Sequence, residues 1–298
     1  LRTSLAARMA AAVFTLGFTA VALAAALSYT AAETALRENT ADVLATYADD
    51  DVRYLDRWLR RQQDALQLMA TAIEVPGGAR LFGAGIGIQR LPASVLAAER
   101  YRLIAVPGGR IVRASDTTEV GSFAVDELYY QRGQAGPFVQ PLHPAGVDSR
   151  PTLTISAPVR RGNVVSAVLA ANLSIQDIEA VLRARTSRLD FDVYFVDQFA
   201  QYVSAERFGT PNARRGIRSA GVDDVILGRN GEGIYQSHDG RAVMGAWRWV
   251  PELQIGIVME ADAERALAPA RRLWWLTLLV GAFATAILAL GAIVVTRR

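Results

Sequence analysis

The chain has 298 residues, of which 51% are hydrophobic, and its mean hydropathy of +0.18 is too high for an average soluble enzyme. Its 32 basic and 29 acidic residues leave a formal charge of only +3. Cysteine is absent, which excludes a disulfide framework, a thiolate nucleophile and a cysteine-based metal site.

Two uncharged runs of 24 residues each, 9–32 and 273–296, lie near the two ends of the chain. As helices that rise about 1.5 Å per residue, both are long enough to cross a hydrocarbon core of roughly 30 Å. We therefore expect two transmembrane helices. A cleavable signal peptide is the alternative for the first run, although the apolar part of a signal peptide is usually only about 7 to 15 residues long.

Arginine flanks each run on the side of the chain end, at Arg2, Arg8, Arg297 and Arg298. The positive-inside rule then places the N-terminal tail, 1–8, and the segment that starts at 297–298 in the cytoplasm. Residues 33–272 would lie on the other side of the membrane. They contain all 29 acidic residues and all but four of the basic ones, so their charge is close to neutral and gives no indication of nucleic-acid binding.

Residues 33–75 are predicted to form one long helix that continues from the first transmembrane run. The 42 residues from Glu33 to Glu74 include no glycine or proline, and apolar side chains recur mostly at spacings of three and four. An acidic triplet, 49–51, lies within this helix. Because a helix fans three successive side chains around its surface, the triplet cannot converge on one cation and is expected to face solvent.

After the helix the pattern becomes strand-like. A glycine-rich loop, 81–92, lacks the Gly or Ala that a dinucleotide-binding fingerprint requires at position 88, where Ile88 stands. The segments "YRLIAV" and "RIVRAS" predict a β-hairpin, and "PTLTISAPV" and "VVSAVLAANLSI" predict two further strands. A short helix, "IQDIEAVLRAR", is expected to follow.

A second group of strands repeats this plan before the second apolar run. The segments "FDVYFVD" and "AQYVSAE" are candidate strands, "GEGIYQS" and "RAVMGAWRWV" predict a hairpin, and "LQIGIVME" completes the set. The repetition predicts an α+β fold in which two similar antiparallel-sheet modules are attached to one long helix.

The sequence resembles the double Cache extracellular sensor domains of bacterial transmembrane receptors over nearly its whole length. The resemblance lies in the segments "RLIAVPGGRIVRASDTTEVGS", "DELYYQRGQAGPFVQPL", "RPTLTISAPVRRGNVVSAVLAANLSIQDIEAVL" and "DGRAVMGAWRWVPELQIGIVMEAD". It implies a PAS-like membrane-distal module at 76–187, a membrane-proximal module at 188–262 and a connector at 263–272. It also implies a two-pass protein of the bacterial inner membrane, with a ligand usually held in the distal module.

Members of this family that bind amino acids use a Tyr, an Arg-x-Trp-Tyr cluster and two Asp residues. By this resemblance Tyr130 stands for the cluster's Tyr and Tyr129 for its Trp, whereas the Arg position falls on Asp126 or Glu127 and the last Asp on Asn172. We therefore expect the amino-acid chemistry to be absent or altered, with any carboxylate-binding arginine supplied from elsewhere. The candidate ligand-binding residues are Tyr129, Tyr130, Arg132, Asp148, Asn172 and Arg113. Arg150 is a further candidate for the arginine whose forked guanidinium would bind a carboxylate.

For each of these residues, the alternative to ligand binding is a structural role in packing or a solvated position on the surface. His143 lies beside two prolines and is expected to be exposed. With two histidines 95 positions apart and no cysteine, the usual constellations for acyl transfer or metal hydrolysis cannot be assembled. We therefore predict neither catalysis nor a metal or cofactor in this stretch.

The expected function is the sensory input region of a transmembrane receptor of the histidine kinase, diguanylate cyclase or chemoreceptor type. Binding of a small molecule in the distal module would shift the two membrane helices. A structural or accessory subunit of a larger membrane complex is the main alternative, and a solute-binding module is a third. Partners would be the lipid bilayer, a small-molecule ligand and a second copy of the chain or the rest of such a complex.

Overall fold

The computed structural model describes residues 5–74, 96–145, 150–174, 178, 182, 184–185, 191–203 and 216–297. The first half consists of α1 (Leu5–Glu74), β1 (Ala98–Ala105), β2 (Ile111–Ala114), a 3₁₀ turn (Thr117–Glu119), α2 (Leu128–Gly133), β3 (Phe138–Ala145), β4 (Arg150–Arg161) and β5 (Val164–Leu173). The second half consists of β6 (Asp192–Asp197), α3 (Ala220–Val225), β7 (Gly231–Gln236), β8 (Ala242–Val250), β9 (Ile255–Asp262), α4 (Ala263–Ala266) and α5 (Ala268–Arg297).

The helix α1 is continuous over 70 residues, as the absence of glycine and proline after the first apolar run predicted. At about 1.5 Å per residue it is roughly 105 Å long. Its buried stripe includes Leu44, Leu55, Leu59 and Leu66, and these side chains join one hydrophobic core with residues from both sheets. The helix is therefore the common support of the two sheets.

The acidic triplet on α1 does not face solvent as a unit. Asp49 and Asp50 are half-buried, but Asp51 is 0% exposed, which contradicts the predicted solvated face. Both of its carboxylate oxygens lack a well-formed hydrogen bond among the described residues, although the guanidinium of Arg185 lies 3.2 Å away. Burial raises the pKa of Asp51 to about 6, and the nearby Arg185 only partly offsets this. The helix rotates successive residues through about 100°, so the third member of the triplet turns under the sheets.

The first sheet has the antiparallel order β2-β1-β5-β4-β3, and we call it with α2 the distal lobe. The predicted hairpin and the two following strands are confirmed. The edge strand β3 was not predicted, because its two prolines, Pro141 and Pro144, interrupt the strand pattern. Proline is tolerated at an edge, where no partner requires its missing N–H.

The second sheet has the antiparallel order β6-β9-β8-β7, and we call it with α3 the proximal lobe. The predicted strands are confirmed except for "AQYVSAE", of which the described part forms only isolated bridges at Gln201 and Tyr202. The glycine-rich loop 81–92, most of the predicted helix 175–185 and Asp148 lie outside the described residues.

The helix α5 packs along the N-terminal part of α1. The ring of Trp274 meets that of Tyr29 at a centroid distance of 5.8 Å, and Gly281 lies directly against Val21. The segments Ala11–Ile73 and Ala268–Gly291 are both long enough to cross a membrane and contain a sufficiently apolar window. The expected connector is shorter than its range suggests, since α4 leads through Leu267 alone into α5.

Candidate functional site

The outer face of the distal sheet, which is turned away from α1, is polar at its centre. Because side chains alternate along a strand, the apolar residues of this sheet pack toward α1 while Arg102, Thr154, Ser156 and Asn172 point outward. All four are at most 9% exposed. Buried polar groups of this kind require hydrogen-bond partners. We call these four residues, together with Glu119, the distal site.

Arg102 is held on both sides of its guanidinium. Its Nε and Nη2 donate hydrogen bonds of 2.6 and 2.8 Å to the two carboxylate oxygens of Glu119, in the bidentate geometry that suits arginine and carboxylate. Its Nη1 donates at 3.0 Å to Oδ1 of Asn172. Glu119 also lies 3.6 Å from Arg100. The carboxylate therefore sits between two arginines at the mouth of the site.

Asn172 links Arg102 to a second group of side chains. Its Oδ1 also accepts a 3.1 Å hydrogen bond from Oγ1 of Thr154, which in turn lies 3.3 Å from Nε2 of His143. The other ring nitrogen of His143, Nδ1, is 2.9 Å from the carbonyl oxygen of Pro141. His143 is thus half-buried and bonded, which corrects the expectation that it is exposed. A continuous hydrogen-bonded chain crosses β3, β4, β5 and β1.

The short helix α2 covers the site. Tyr129 and Tyr130 are each 5% exposed and pack against Ile104 and Val168 of the sheet. The phenol of Tyr130 donates to the carbonyl oxygen of Ala105 at 3.3 Å. Burial raises the pKa of Tyr129 to about 12, and the neighbouring Arg102 offsets part of this shift, so the phenol keeps its proton at neutral pH.

Ser156 is the one residue of the distal site whose polar side-chain atom has no hydrogen-bond partner among the described residues. The residue is 2% exposed. It lies under the end of α2, where a Cβ added to Gly133 would come within 2.6 Å of the Ser156 Oγ. In the β1-β5-β4 register, Ser156 and Arg102 both flank Ala170. The unsatisfied hydroxyl therefore belongs to the cross-strand row of Arg102, whereas the guanidinium itself reaches the neighbouring row of Asn172.

The structure brings together only part of the set of predicted ligand-binding residues. Tyr129, Tyr130 and Asn172 belong to this region. Arg132 is exposed on α2. Arg113 pairs with Leu103, whose side chain packs toward α1, so Arg113 lies on the opposite face of the sheet. Asp148 and the side chain of Arg150 lie outside the described part of the chain.

The structure buries an arginine that was not among the candidate site residues. Arg102, Glu119 and Thr154 all lie in the distal site, and none of them was predicted as a site residue. A signal was present in "YRLIAV", where an arginine alternates with apolar residues inside a strand of a predicted hairpin. Arginine is seldom buried unless it is paired, so its place in an interior strand indicates a paired guanidinium.

The proximal lobe has a second buried charge on its own outer face. Glu260 of β9 is 2% exposed and accepts three hydrogen bonds from neutral hydroxyl groups. Its Oε1 accepts from Tyr194 at 2.8 Å and from Tyr235 at 2.9 Å, and its Oε2 accepts from Ser237 at 2.7 Å. Burial, and then the Glu260 charge, raises the pKa of both tyrosines well above the ordinary value. These four residues form what we call the proximal cluster.

An open cavity of about 330 Å³ lies apart from both clusters, between α1 and the end of β9. Its lining includes Asn39, Val43, Phe191 and Arg265, and the first and last of these are exposed. Across the described ranges, no group of three His, Asp or Glu side chains is arranged to hold a metal ion. Among the described residues, the distal site and the proximal cluster are the two groups of buried polar side chains on the outer faces of the sheets.

Comparison with solved structures finds several bacterial chemoreceptor sensory domains. The ligand-binding domain of Pseudomonas aeruginosa PAO1 PctB in complex with L-Arg is 14% identical, with 77% of this chain and 97% of that chain covered and a TM-score of 0.56. The Campylobacter jejuni Tlp3 sensory domain with isoleucine is 13% identical, with coverages of 79% and 97% and a TM-score of 0.56. The Pseudomonas fluorescens CtaA domain with L-isoleucine is 13% identical, with 79% of this chain and 97% of that chain covered and a TM-score of 0.54.

No family model and no curated protein matches the sequence. At identities of 13–14%, the structural matches establish the fold alone. That fold is the one of Cache-type sensor domains, as the sequence resemblance predicted. The matched proteins are ligand-binding sensory domains and not enzymes.

Proposed function

We propose that residues 33–272 are the extracytoplasmic sensory input region of a bacterial inner-membrane receptor, and that the distal site binds its small-molecule ligand. The observation that carries this proposal is the buried fork of Arg102 on a face that also contains the unsatisfied Ser156 and is closed by α2. Such convergent polar groups under an aromatic cover are typical of small-molecule sites. The three chemoreceptor domains described above, which contain L-Arg or isoleucine, support a sensory role.

Two direct connections would carry a signal to the membrane helices. α1 packs against both lobes and continues without interruption into the first apolar run. β9 leads into α4, where the side chain of Asp262 caps the helix by accepting from the backbone N–H of Arg265 at 3.0 Å, and then into α5. A displacement of the proximal sheet would therefore move α5 relative to α1.

The main alternative is a structural subunit of a larger membrane complex. It is favoured by one observation, which is that Glu119 already fills the fork of Arg102. The distal site would then be a permanent ion pair that holds the loop before α2. The two functions differ in whether any soluble molecule competes with Glu119.

The test is a metabolite screen on the whole chain in lipid nanodiscs, with the melting temperature as the readout. A bound ligand stabilises the folded state by RT ln(1 + [L]/Kd), which is about 2.7 kcal/mol at a hundredfold excess over Kd. We expect at least one stabilising molecule, and we expect Arg102→Gln to abolish its effect. Glu260→Gln in the proximal cluster is the control and should leave the ligand-induced shift intact. If no molecule acts through Arg102, the sensory proposal is wrong.

A further inference from the structure

The guanidinium of Arg102 is positioned independently of Glu119. β1 is an interior strand of the distal sheet, and Asn172 of the adjacent β5 holds Nη1 from the side. Removal of the Glu119 side chain would therefore leave the fork in place and facing outward. It would also leave Arg100 and Arg102 close together, with no acid between them among the described residues.

Glu119 reaches the fork from outside the sheet. It ends the 3₁₀ turn at the surface, and its side chain is 20% exposed, whereas that of Arg102 is 10% exposed. The turn is held by its own hydrogen bonds, since Asp116 accepts from both the N–H and the hydroxyl of Thr118, and Ser122 donates to the Glu119 carbonyl at 2.6 Å. The carboxylate can therefore rotate toward solvent while the turn keeps its shape. Arg100 is already 3.6 Å from it and can pair with it there.

The strands of the outer face offer no counter-charge for a ligand ammonium group. In the described residues, the outward-pointing positions of β1, β4 and β5 contribute arginine, hydroxyl, amide and apolar side chains, but no acid. Among the described residues, Glu119 is the one acid bonded to the fork, and Arg100 competes for it. Glu127, which also acts electrostatically on Arg102, is exposed at the start of α2. A carboxylate ligand therefore finds a bidentate partner in Arg102, whereas a cationic amine beside it would be buried without a partner, which is costly.

Resting on the proposed sensory function, we infer that the distal site binds a short hydroxy- or oxo-carboxylate, and that Glu119 holds the place of the ligand's carboxylate on Arg102 until the ligand displaces it. The unsatisfied hydroxyl of Ser156 and the protonated phenol of Tyr129 supply hydrogen bonds for the ligand's neutral polar group. The exchange of one carboxylate for another keeps the buried guanidinium neutralised at every stage.

Isothermal titration of the whole chain in nanodiscs tests this inference with skeleton-matched probes. One set is L-lactate, pyruvate and L-alanine, and the other is 2-hydroxyisocaproate, 2-oxoisocaproate and L-leucine. Glu119→Gln removes the competing charge at nearly constant size and should tighten the binding of hydroxy and oxo acids of at least one set by tenfold or more. Asp126→Asn, which neutralises an exposed acid in the loop before α2, is the matched control and should change affinity less than twofold.

Three results would overturn the inference. The first is equal tightening for the amino acids, which would mean that an ammonium is accommodated. The second is equal tightening for inorganic phosphate, which would indicate a general anion site. The third is no gain for any probe in a Glu119→Gln variant that still melts cooperatively. If the metabolite screen nevertheless finds a ligand that depends on Arg102, the third result refutes the ligand class and leaves the sensory function standing.

Discussion

The two lobes each bury one charge on the outer face of an antiparallel sheet, but they satisfy it in different ways. In the proximal cluster, Tyr194 and Glu260 lie on the paired strands β6 and β9. Tyr235 lies on β7 of the same sheet, and Ser237 is the first residue after β7. In the distal site, the charge of Arg102 is neutralised by a side chain from a surface turn. A charge held by its own sheet is fixed, whereas one held by a turn can change partner.

The distal site and the proximal cluster also differ in what remains unsatisfied. Each oxygen of Glu260 has at least one hydroxyl donor, so a ligand would gain little by displacing them. The distal site contains the unpartnered Oγ of Ser156 beneath α2. The contrast supports the proposal that the distal site exchanges partners while the proximal cluster stabilises its lobe. The four predictions below test this contrast.

The largest effect is expected from Glu260→Ala. The change leaves three hydroxyl groups without their acceptor in a buried environment and opens a cavity, so we expect the free energy of unfolding to fall by about 3–5 kcal/mol. Denaturant unfolding measures it. The conservative Glu260→Gln keeps the side-chain volume and one acceptor oxygen, so its free energy of unfolding should fall by less. Ligand affinity at the distal site should be unchanged in any fraction that remains folded, and a change there would contradict the separation of the lobes.

The second prediction concerns Asp51 on α1, the helix that both lobes share. Its pKa is raised from 3.8 to about 6 in the folded state, so the folded chain binds this proton more tightly than the unfolded chain. Stability should therefore rise as the pH falls from 7 toward 4, by roughly 3 kcal/mol for a shift of this size. The acids Asp50, Asp116 and Asp239 have lowered pKa values and contribute the opposite slope.

The contribution of Asp51 can be isolated by difference. Asp51→Asn cannot ionise, and subtracting its pH–stability curve from that of the wild type removes the common terms. We expect the difference curve to favour the wild type increasingly below pH 6. A flat difference between pH 4 and 7 would show that the Arg185 ion pair compensates the burial of the carboxylate in full.

The third prediction is a moderate loss of stability in Arg102→Gln. Asn172 loses a charged donor, but Glu119 is partly exposed and can turn to solvent, so the cost should be about 1–3 kcal/mol. This loss of stability is smaller than the one expected for Glu260→Ala, because the hydroxyl groups of the proximal cluster cannot rotate into solvent. Ligand binding should be lost. Chemical denaturation and the titration above measure the two effects separately, and a loss as large as that of Glu260→Ala would mean that the distal pair is also a fixed structural element.

Much of the fold could be predicted because it depends on local patterns. The helix follows from its uninterrupted spacing, and β4 and β5 follow from alternating or continuous apolar runs around a turn. β3 could not be predicted in this way, since its prolines are acceptable only because it lies at an edge. The pattern of polar and apolar residues also assigned Asp51 to solvent. Such a pattern separates polar from apolar residues but contains no information about which elements cover the helix.

The candidate site was less predictable, because its pairs join residues far apart in the chain. Family resemblance named Tyr129, Tyr130 and Asn172, which lie in this region, and offered Arg132, Arg113 or Arg150 as sources of a carboxylate-binding arginine, but not Arg102. The Arg102–Asn172 contact depends on the register of β1 against β5, and the Arg102–Glu119 contact depends on a turn that lies over the sheet. Neither is encoded in spacing along the sequence.

The smallest and most selective effect is expected from Ser156→Ala. Its Oγ is buried and unpartnered, so its removal should leave the free energy of unfolding unchanged or raise it by up to about 1 kcal/mol. If the hydroxyl serves the ligand, affinity for the distal-site ligand should fall several-fold in the same variant. Thr154→Val is the matched control, because that hydroxyl donates to Asn172 and its loss should lower stability. A Ser156→Ala variant that binds as tightly as the wild type would remove this hydroxyl from the site, and one that unfolds more easily would mean that Ser156 has a partner in the folded chain.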